Sequence, residues 1–451
     1  MFDDCLRGAR LGSRDFRQAY GVRLSYYSGS MYRGISSKEL VVRMGKAGLL
    51  GFLGAGGLEL DRIGSDIRSI KSALSENEKF GVNIIADMLD PEKEIETARL
   101  LLREGVKIVE ASAFTQVTPA LVLFRLGGGT DRNGQLLNRI IAKVSHPDVA
   151  RQFMSPPPKP VIDKLLATNR LTPAQAAVAG GEPLATDICV EADSGGHTDQ
   201  GVASVLLPTM QRLRKEMGLS PTAMRVGLGG GIGTPEAAAA AFALGADFIV
   251  TGSINQCTVE AGTSDAVKDL LQAINVQDTA YAPAGDMFEL GAKVQVLKRG
   301  VFFPSRANRL FMLYNQYDSI DDLPEKIRTQ LEEKYFRKPL SQVWDEACQS
   351  LRRKGRTDII DKANGNTKLK MAVVFRRYFG ASMALAFAGD RSEQTDFQVH
   401  TGPAMGAFNQ WVKGDEWEHW TNRHVDEIAF RLMGDAEDLL IERLGYLKGT
   451  N

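Results

Sequence analysis

The chain has 451 residues, enough for two or three domains or for one barrel with additions. Its 55 basic and 55 acidic residues cancel, so the net charge favours neither nucleic acid nor an anionic membrane as a partner. Four cysteines (Cys5, Cys189, Cys257 and Cys348) are too widely spaced for a zinc site or a disulfide framework, which indicates small buried thiols in a reducing compartment.

The N-terminal 17 residues carry charges of both signs and no apolar stretch, unlike a signal peptide. The alanine-rich run at 237–246 is too short to span a bilayer. We therefore expect a soluble, cytoplasmic protein.

Short apolar runs alternate with amphipathic stretches from residue 25 onward. The predicted strands are 24–29, 49–54, 80–86, 106–111, 139–144, 187–192, 224–229 and 247–252. Helix starts follow Asp90, Thr118 and Thr234, each a polar residue before a proline. Because strands apolar on both faces are typical of covered parallel sheets, the pattern predicts an α/β fold, a (β/α)8 TIM barrel. An open doubly wound sheet would need GxGxxG after the first strand, where Ser28-Gly29-Ser30-Met31 stands instead.

Two segments depart from this alternation. A proline-rich and then helical stretch at about 155–186 predicts an insertion between strands 5 and 6. No strand is evident after residue 252, whereas 323–336, 340–353 and 425–444 have helical spacing. The predicted organisation is an N-terminal segment (1–24), a barrel (25–290) and a C-terminal, mainly helical addition (291–451).

Glycine loops end the seventh and eighth predicted strands. They read Gly229-Gly230-Gly231-Ile232-Gly233-Thr234-Pro235-Glu236 and Thr251-Gly252-Ser253. Barrels commonly hold ligand phosphate there, and the first loop opens into a helix whose N-terminal dipole favours an anion. The loops predict a phosphate-bearing ligand, although glycine runs also occur as simple tight turns. No Gly-Lys-Ser/Thr follows, so a nucleoside triphosphate is not indicated.

The sixth predicted strand leads into the sequence Glu191-Ala192-Asp193-Ser194-Gly195-Gly196-His197. Glycines allow backbone amides to approach a ligand closely, and of the five histidines His197 alone lies in a glycine loop at a strand end. We favour a chemical role for His197 over a structural one, and positioning roles for the two carboxylates. No GxSxG elbow and no histidine pair with metal-ligand spacing supports a hydrolase or a metal site.

Two further polar residues lie in predicted strands. Lys143 is either a ligand contact or half of a structural ion pair with Glu191 or Asp193, because a buried ammonium needs a partner. Asn83 is either a ligand contact or a cap of the turn that it precedes.

Several motifs together resemble those of the PfaD-like trans-acting enoyl reductases of polyketide and polyunsaturated fatty acid synthases, relatives of the nitronate monooxygenases. The likeness runs from about residue 11 to 411 and is carried by segments 45–55, 109–113, 191–199, 230–235, 250–256, 294–300 and 402–409. The Gly-Gly-His piece is shared with the simpler relatives, whereas the segments beyond residue 290 are specific to this group.

The resemblance implies an FMN barrel in which NADPH or NADH reduces the flavin and the flavin reduces an enoyl thioester on an acyl carrier protein. It implies that His197 is catalytic and that the helical addition faces the substrate and the carrier. The implied FMN contacts are Gly29, Ser30, Met31, Asn83, Lys143, Asp193, Ser194, Gly195, Gly196, Gly229, Gly230, Gly231, Thr251, Gly252 and Ser253. Chemically, His197 suits hydrogen bonding to the thioester oxygen or protonation of the α-carbon.

The chain departs from the family pattern in two places. Ser28-Gly29-Ser30-Met31 replaces Ala-Gly-Ala-Met, which predicts a more polar surrounding for the flavin. An N-terminal segment is absent or shortened, and a histidine common near Tyr20 is replaced, which bears on N-terminal docking contacts.

Two other functions fit the same pattern: a nitronate monooxygenase-like FMN oxidase acting on a small molecule, and a barrel that binds a carrier protein without turnover. Lys298, Arg299, Arg306 and Arg309 are basic candidates for the acidic surface of a carrier protein, or simply a solvated charged face. A homo-oligomer is compatible with the sequence.

Overall fold

The computed structural model describes residues 6–87 and 90–448, so Cys5 lies outside the described residues. The chain forms two compact units. The barrel unit comprises Met1–Ser194, Gln200–Thr263 and Ala407–Asn451, and the second unit comprises Gly195–Asp199 and Ser264–Gly406. These units divide the chain at points other than the predicted boundary at residue 290.

The strands are β1 (Tyr26–Ser28), β2 (Leu50–Leu53), β3 (Gly81–Ile85), β4 (Ile108–Ser112), β5 (Arg139–Val144), β6 (Asp187–Glu191), β7 (Gly196–Thr198), β8 (Arg225–Gly229), β9 (Ile249–Thr251), β10 (Thr279–Pro283) and β11 (Lys293–Leu297). The helices are α1 (Arg14–Tyr20), α2 (Lys38–Lys46), α3 (Leu60–Ala73), α4 (Pro91–Arg103), α5 (Pro119–Gly127), α6 (Pro147–Phe153), α7 (Lys159–Ala167), α8 (Pro173–Ala177), α9 (Ala203–Glu216), α10 (Pro235–Ala243), α11 (Asp265–Gln272), α12 (Phe303–Gln316), α13 (Glu325–Leu331), α14 (Leu340–Arg353), α15 (Thr357–Asn364), α16 (Thr367–Ala388), α17 (Pro403–Trp411) and α18 (Val425–Lys448).

Eight parallel strands close into a barrel in the order β1-β2-β3-β4-β5-β6-β8-β9. Closure comes from pairing of β9 with β1, which sets Thr251 opposite Ser28. Each barrel strand lies within or overlaps one of the eight predicted runs. Between β5 and β6 come α6 and then α7 and α8, which lie in the predicted insertion. The prediction of a (β/α)8 barrel with an insertion between strands 5 and 6 is therefore confirmed.

The predicted helix starts are also correct: α4, α5 and α10 begin at the proline that follows Asp90, Thr118 and Thr234. Asp90 accepts from Lys93 N at 3.2 Å and Thr234 accepts from Ala237 N at 3.4 Å, so both side chains satisfy an amide of the first turn. Thr118 makes no such bond to its helix.

Large aromatic side chains fill the barrel core, and two of them leave no room for a side chain at a neighbouring glycine. A Cβ on Gly81 would lie 2.2 Å from the ring of Phe52, and a Cβ on Gly227 would lie 2.3 Å from the ring of Phe248. Phe248 stacks on Phe16 of α1 with ring centroids 4.4 Å apart. The interior is thus packed solid with side chains, as expected for an eight-stranded barrel.

A buried charge cluster ties β6 to β8 and α1. Asp187, at the start of β6, is fully buried and accepts from Arg225 Nη2 at 2.8 Å and from the backbone N of Arg225 at 3.2 Å. Tyr20 of α1 donates its hydroxyl to the same carboxylate. Burial, followed by the charge of Asp187, raises the pKa of Tyr20 well above its usual value. Tyr20 stands near the position of a histidine that is common in the family that the sequence resembles. In this chain Tyr20 therefore has a structural partner.

The second unit contains a three-stranded antiparallel sheet of order β10-β11-β7. Its helices pack an apolar core that includes Phe288, Phe303, Phe375, Tyr378 and Phe379. The expectation that no strand follows residue 252 is wrong, and so is the prediction that His197 lies in a loop, because it lies in β7. The three residues of β7 are too few to show an alternation of apolar and polar side chains. Its backbone partners belong to β11, almost a hundred residues further along the chain.

Within the described ranges, α16 is the one helix long and apolar enough to cross a membrane, and half of its apolar window is buried in the protein. Cys189, Cys257 and Cys348 are buried thiols, as the sequence predicts.

Replacement of Asp187 by Ala is expected to lower the free energy of unfolding by about 3–5 kcal/mol, because it leaves the guanidinium of Arg225 buried without its anion. Asp163→Ala is the control, since its ion pair with Lys159 is exposed (54% and 83% of the side chains) and should change stability by less than about 1 kcal/mol. Denaturant titration of both variants measures the difference; two equally small losses would contradict the structural role of Asp187.

Candidate functional site

The loop after β8 has the geometry of a backbone cradle. Gly230 and Gly231 both have left-handed backbone angles, φ +98° and +73°. A Cβ on Gly230 would lie 2.6 Å from the carbonyl oxygen of Ala192, so only glycine fits. Next to it, the Cβ position of Gly231 has no described heavy atom within 4 Å, and the chain enters α10 three residues later at Thr234. Open space at a helix N-terminus suits an anion.

The loop after β9 has similar open space but a closed side-chain network. The Cβ position of Gly252 also has no described heavy atom within 4 Å. The hydroxyl of Thr251 is used internally, because it contacts the hydroxyl of Tyr26 and lies 3.0 Å from Asn255 Nδ2. Asn255 Nδ2 donates to Ser28 Oγ at 2.9 Å as well. Thr251 therefore offers a ligand its backbone rather than its side chain.

The segment after β1 is likewise held from within the barrel unit. The backbone N of Gly29 donates to Thr251 O at 3.0 Å, and its carbonyl accepts from Ser36 Oγ at 2.9 Å. Both the backbone N and the hydroxyl of Ser30 donate to Glu110, and Met31 is partly buried. The serines of this segment thus have interior partners, and the more polar flavin environment stays a prediction.

Glu110 is a residue that sequence reasoning missed as a site candidate. It is fully buried on β4 and accepts from Ser30 and from the hydroxyl of Tyr27, the latter at 3.1 Å. A carboxylate inside an apolar strand is the same signal that drew attention to Lys143, and it would have identified Glu110.

Lys143 of β5 is half of an ion pair. Its Nζ lies 3.0 Å from Glu191 Oε1 on the neighbouring strand β6. Burial opposes the ammonium, but the carboxylates of Glu191 and Glu110 outweigh burial and raise the pKa of Lys143. Of the two predicted alternatives, the ion pair with Glu191 is present. Burial raises the pKa of the neighbouring Cys189 thiol, so that residue is a neutral part of the core.

Asn83 of β3 is buried, and its amide nitrogen donates inward, to Glu110 O at 3.2 Å and to Ser112 Oγ at 3.0 Å. These bonds hold the amide plane against β4. Both bonds reach β4, and neither reaches the described part of the turn after β3.

The sheet of the second unit carries His197. Gly195 is required there for packing, because a Cβ would lie 2.7 Å from the backbone of Thr401, and Gly196 has a left-handed φ of +89°. His197 is paired with Val294 of β11, and its Nε2 lies 2.8 Å from Asp286 Oδ1. His400 is nearby, with ring centroids 6.4 Å apart and planes almost perpendicular. Neither Asp286 nor His400 was a sequence candidate, and 89 residues separate Asp286 from His197.

The predicted site residues are therefore distributed over both units. Gly195, Gly196 and His197 belong to the second unit, and the remaining candidates, including Asp193 and Ser194, belong to the barrel unit. Within the described part of the chain, no three His, Cys, Asp or Glu side chains form a group that would hold a metal ion.

Two family models match the chain. Residues 27–289 match nitronate monooxygenase, which spans more than half of the chain and all of the barrel strands from β2 to β9. Residues 317–397 match the inserted helical domain of acyl-carrier-protein S-malonyltransferase.

Among curated proteins, the chain is 53% identical to the polyketide biosynthesis protein PksE of Bacillus subtilis, over 96% of this chain and 57% of that protein. It is 52% identical to the polyketide biosynthesis protein ThaF of Burkholderia thailandensis, over 97% of this chain and 38% of that protein. The chain thus spans little more than half, or less, of these relatives. Components of a polyunsaturated fatty acid synthase of Thraustochytrium are also similar, one of them 42% identical over 90% of this chain and 28% of that protein.

Among solved structures, the enoyl reductase domain of MlnA, from the macrolactin cluster of Bacillus amyloliquefaciens, superposes with a TM-score of 0.92 at 41% identity, covering 97% of this chain and 99% of that domain. FabK from Thermotoga maritima shares the fold, with a TM-score of 0.59 at 16% identity over 96% of this chain and 98% of that one. Fold, whole-chain identity and family model agree, and the chain belongs to the PfaD-like enoyl reductases within the nitronate monooxygenase family of oxidoreductases.

Proposed function

We propose that the protein is a trans-acting, FMN-dependent enoyl reductase that uses NADPH or NADH to saturate an α,β-unsaturated acyl thioester on an acyl carrier protein, in the cytoplasm. The observation that carries the proposal is the match to the MlnA enoyl reductase domain over the whole chain. That match includes the residues beyond 289, which the nitronate monooxygenase model does not reach.

The barrel unit has features that fit FMN. Phosphate suits the open backbone positions of Gly231 and Gly252 and the N-terminus of α10. Lys143 and Asn83 are rigidly held polar groups suited to a heterocycle, by charge and by hydrogen bonding respectively. When bound, FMN would supply the two-electron chemistry between the nicotinamide and the thioester.

Reduction of the enoyl group requires two additions. A hydride that originates on the nicotinamide reaches the β-carbon, and a proton reaches the α-carbon, so NADP⁺ or NAD⁺ and the saturated thioester are the products. Negative charge develops on the thioester oxygen as the hydride arrives, and a hydrogen-bond donor or acid placed there lowers the barrier. We assign delivery of the proton to the α-carbon to His197.

The carrier protein would dock on α12 and the turn before it. Residues 298–316 contain four cations and no carboxylate. Arg299 is paired with Asp278 at 3.5 Å and Arg306 is bound by Asp396, which leaves Lys298 and Arg309 as the candidates for an acidic partner. Phe302 and Met312, 61% and 43% exposed, share the helix face with Arg309 and add apolar contact area.

The match to the nitronate monooxygenase model supports a second candidate, oxidation of a small nitronate. The enoyl reductase and the nitronate oxidase differ in the substrate that they turn over.

Purified flavoprotein is expected to oxidise NADPH when given a crotonyl thioester and not to consume a propyl nitronate. His197→Ala is expected to slow the thioester reaction by about 10²-fold or more, the range for loss of an acid catalyst. Nitronate turnover without thioester reduction would select the second candidate, and no turnover of either would leave a carrier-binding barrel.

Gly231→Asp is expected to weaken FMN binding by about tenfold or more, which is roughly 1.4 kcal/mol, because it places a carboxylate beside the proposed phosphate position. Gly231→Asn is the matched control, since asparagine has the same size and also tolerates a left-handed φ but carries no charge. Fluorescence titration of the apoprotein with FMN measures both; equal weakening by the two variants would show that the charge does not meet a phosphate.

A double charge reversal, Lys298→Glu with Arg309→Glu, is expected to raise KM for the carrier-bound substrate by about tenfold, equivalent to about 1.4 kcal/mol, with kcat unchanged. A soluble pantetheine thioester should react normally. Lys326→Glu, an exposed charge reversal on α13, is the control. If the double variant and the control have the same KM for the carrier substrate, the carrier docks elsewhere.

A further inference from the structure

The sheet register of the second unit places two histidines on the same face of one edge. Along the edge of β11, His197 is opposite Val294 and His400 is opposite Val296. Val294 and Val296 are two residues apart, and side chains directly opposite each other in an antiparallel pair lie on the same face. Two rises along a strand are about 7 Å, which explains the 6.4 Å between the ring centroids.

Asp286 reaches this face from the turn between β10 and β11. The turn begins after Pro283 and is closed by Ala284 N donating to Ala292 O at 2.7 Å. Asp286 Oδ1 lies 2.8 Å from His197 Nε2. An ionised carboxylate only accepts hydrogen bonds, so Nε2 of His197 carries the proton.

His400 is held in the opposite state. Gln398 Nε2 lies 2.8 Å from His400 Nε2, a contact in which an uncharged ring nitrogen can accept from the amide. Burial and the neighbouring His197 lower the pKa of His400 to about 4. Of the two adjacent imidazoles, one therefore has an anionic partner and the other remains uncharged at neutral pH.

Charged groups on the elements around β7 include Lys293, Glu289 and Asp199. Lys293 is opposite Thr198, so its side chain lies on the other face of the sheet from His197. Glu289, in the same turn as Asp286, is bound by Arg376. Asp199 follows β7 on the same chain segment, just beyond the strand. The carboxylate of Asp286 contacts the His197 ring directly.

We propose that Asp286 is a positioning residue that keeps His197 in the imidazolium form, as the proton donor to the α-carbon of the enoyl thioester, with His400 as a neutral neighbour. This rests on the proposed function. In the step, the imidazolium loses one proton to the α-carbon while the β-carbon receives the hydride that originates on the nicotinamide, and water then reprotonates the ring.

The exposure and charge of the pair support a chemical rather than a structural role. Both side chains are substantially exposed, 43% for His197 and 64% for Asp286, and exposed ion pairs add little to folding stability. Partial desolvation by its neighbours opposes the anion of the exposed Asp286, but the bond with His197 and the charge of that ring outweigh it, so the pKa of Asp286 is lowered. Because coupling between two groups is reciprocal, the carboxylate favours the imidazolium equally.

The sign of the pH dependence follows from this coupling. Imidazolium is present below the pH at which His197 loses its proton, so the rate of thioester reduction falls as pH rises through that point. Asp286→Asn keeps the size of the side chain and removes the anion, so the alkaline fall should move to lower pH by about one unit, the lower end of the effect of a neighbouring opposite charge.

Two readouts on the full-length, FMN-loaded protein test the proposal. The first is the titration of His197 by NMR of ¹⁵N-histidine-labelled protein, with its signal identified by loss in His197→Gln. The second is the pH profile of kcat/KM with a crotonyl thioester. Asp286→Asn is compared with Asp322→Asn, which removes an exposed carboxylate elsewhere in the second unit.

The expected result is a lower titration midpoint and a matching shift of the alkaline limb in Asp286→Asn, with neither in Asp322→Asn. An unchanged midpoint would overturn the pairing, whatever the activity. A shifted midpoint with an unshifted limb would overturn the role of the imidazolium as proton donor. A shifted midpoint in a protein that never reduces a thioester would remove the proposed function while leaving the pairing in place.

Discussion

Pairing of three residues of β7 with β11 is the constraint on which the candidate site depends. The glycine-histidine stretch begins at the end of a barrel strand, yet Gly195–Asp199 belong to the second unit and Gln200 returns the chain to the barrel unit. Close approach of Thr401 to Gly195 and the left-handed φ of Gly196 make this excursion possible. Glycine therefore serves first to let the chain join a distant strand, and His197 acquires its neighbours from that strand and its turn.

The buried carboxylates of the barrel unit are a second constraint. Two buried carboxylates there have several donors each: Asp187 has Arg225 and Tyr20, and Glu110 has Ser30 and Tyr27. Such groups cost too much to leave unpaired and therefore rigidify what surrounds them. Lys143 is held by Glu191, and Asn83 by Glu110 O and Ser112 Oγ, which suits polar groups that must keep fixed positions against a flat ligand.

Much of the fold was predictable because the barrel strands are continuous apolar runs and their helices begin at a cap followed by proline, both local signals. His197 was identifiable for the same reason, as a histidine in a glycine stretch after such a run. Strands β7, β10 and β11 were missed because short strands of mixed polarity are stabilised by partners that are distant in sequence. Asp286 and His400 have no local signal at all, since a turn and a strand register bring them to His197. The choice between ligand contact and ion pair for Lys143 was also undecidable, because it depends on which residue lies beside it on the next strand.

The proposed function is the saturation of an acyl chain on a carrier protein. The most direct measurement is the intact mass of a crotonyl-loaded carrier protein after incubation with the FMN-loaded enzyme and NADPH. The carrier is expected to gain the mass of two hydrogens, and His197→Ala is expected to prevent most of that gain. An unchanged carrier mass with wild-type, flavin-loaded enzyme would contradict the proposed function.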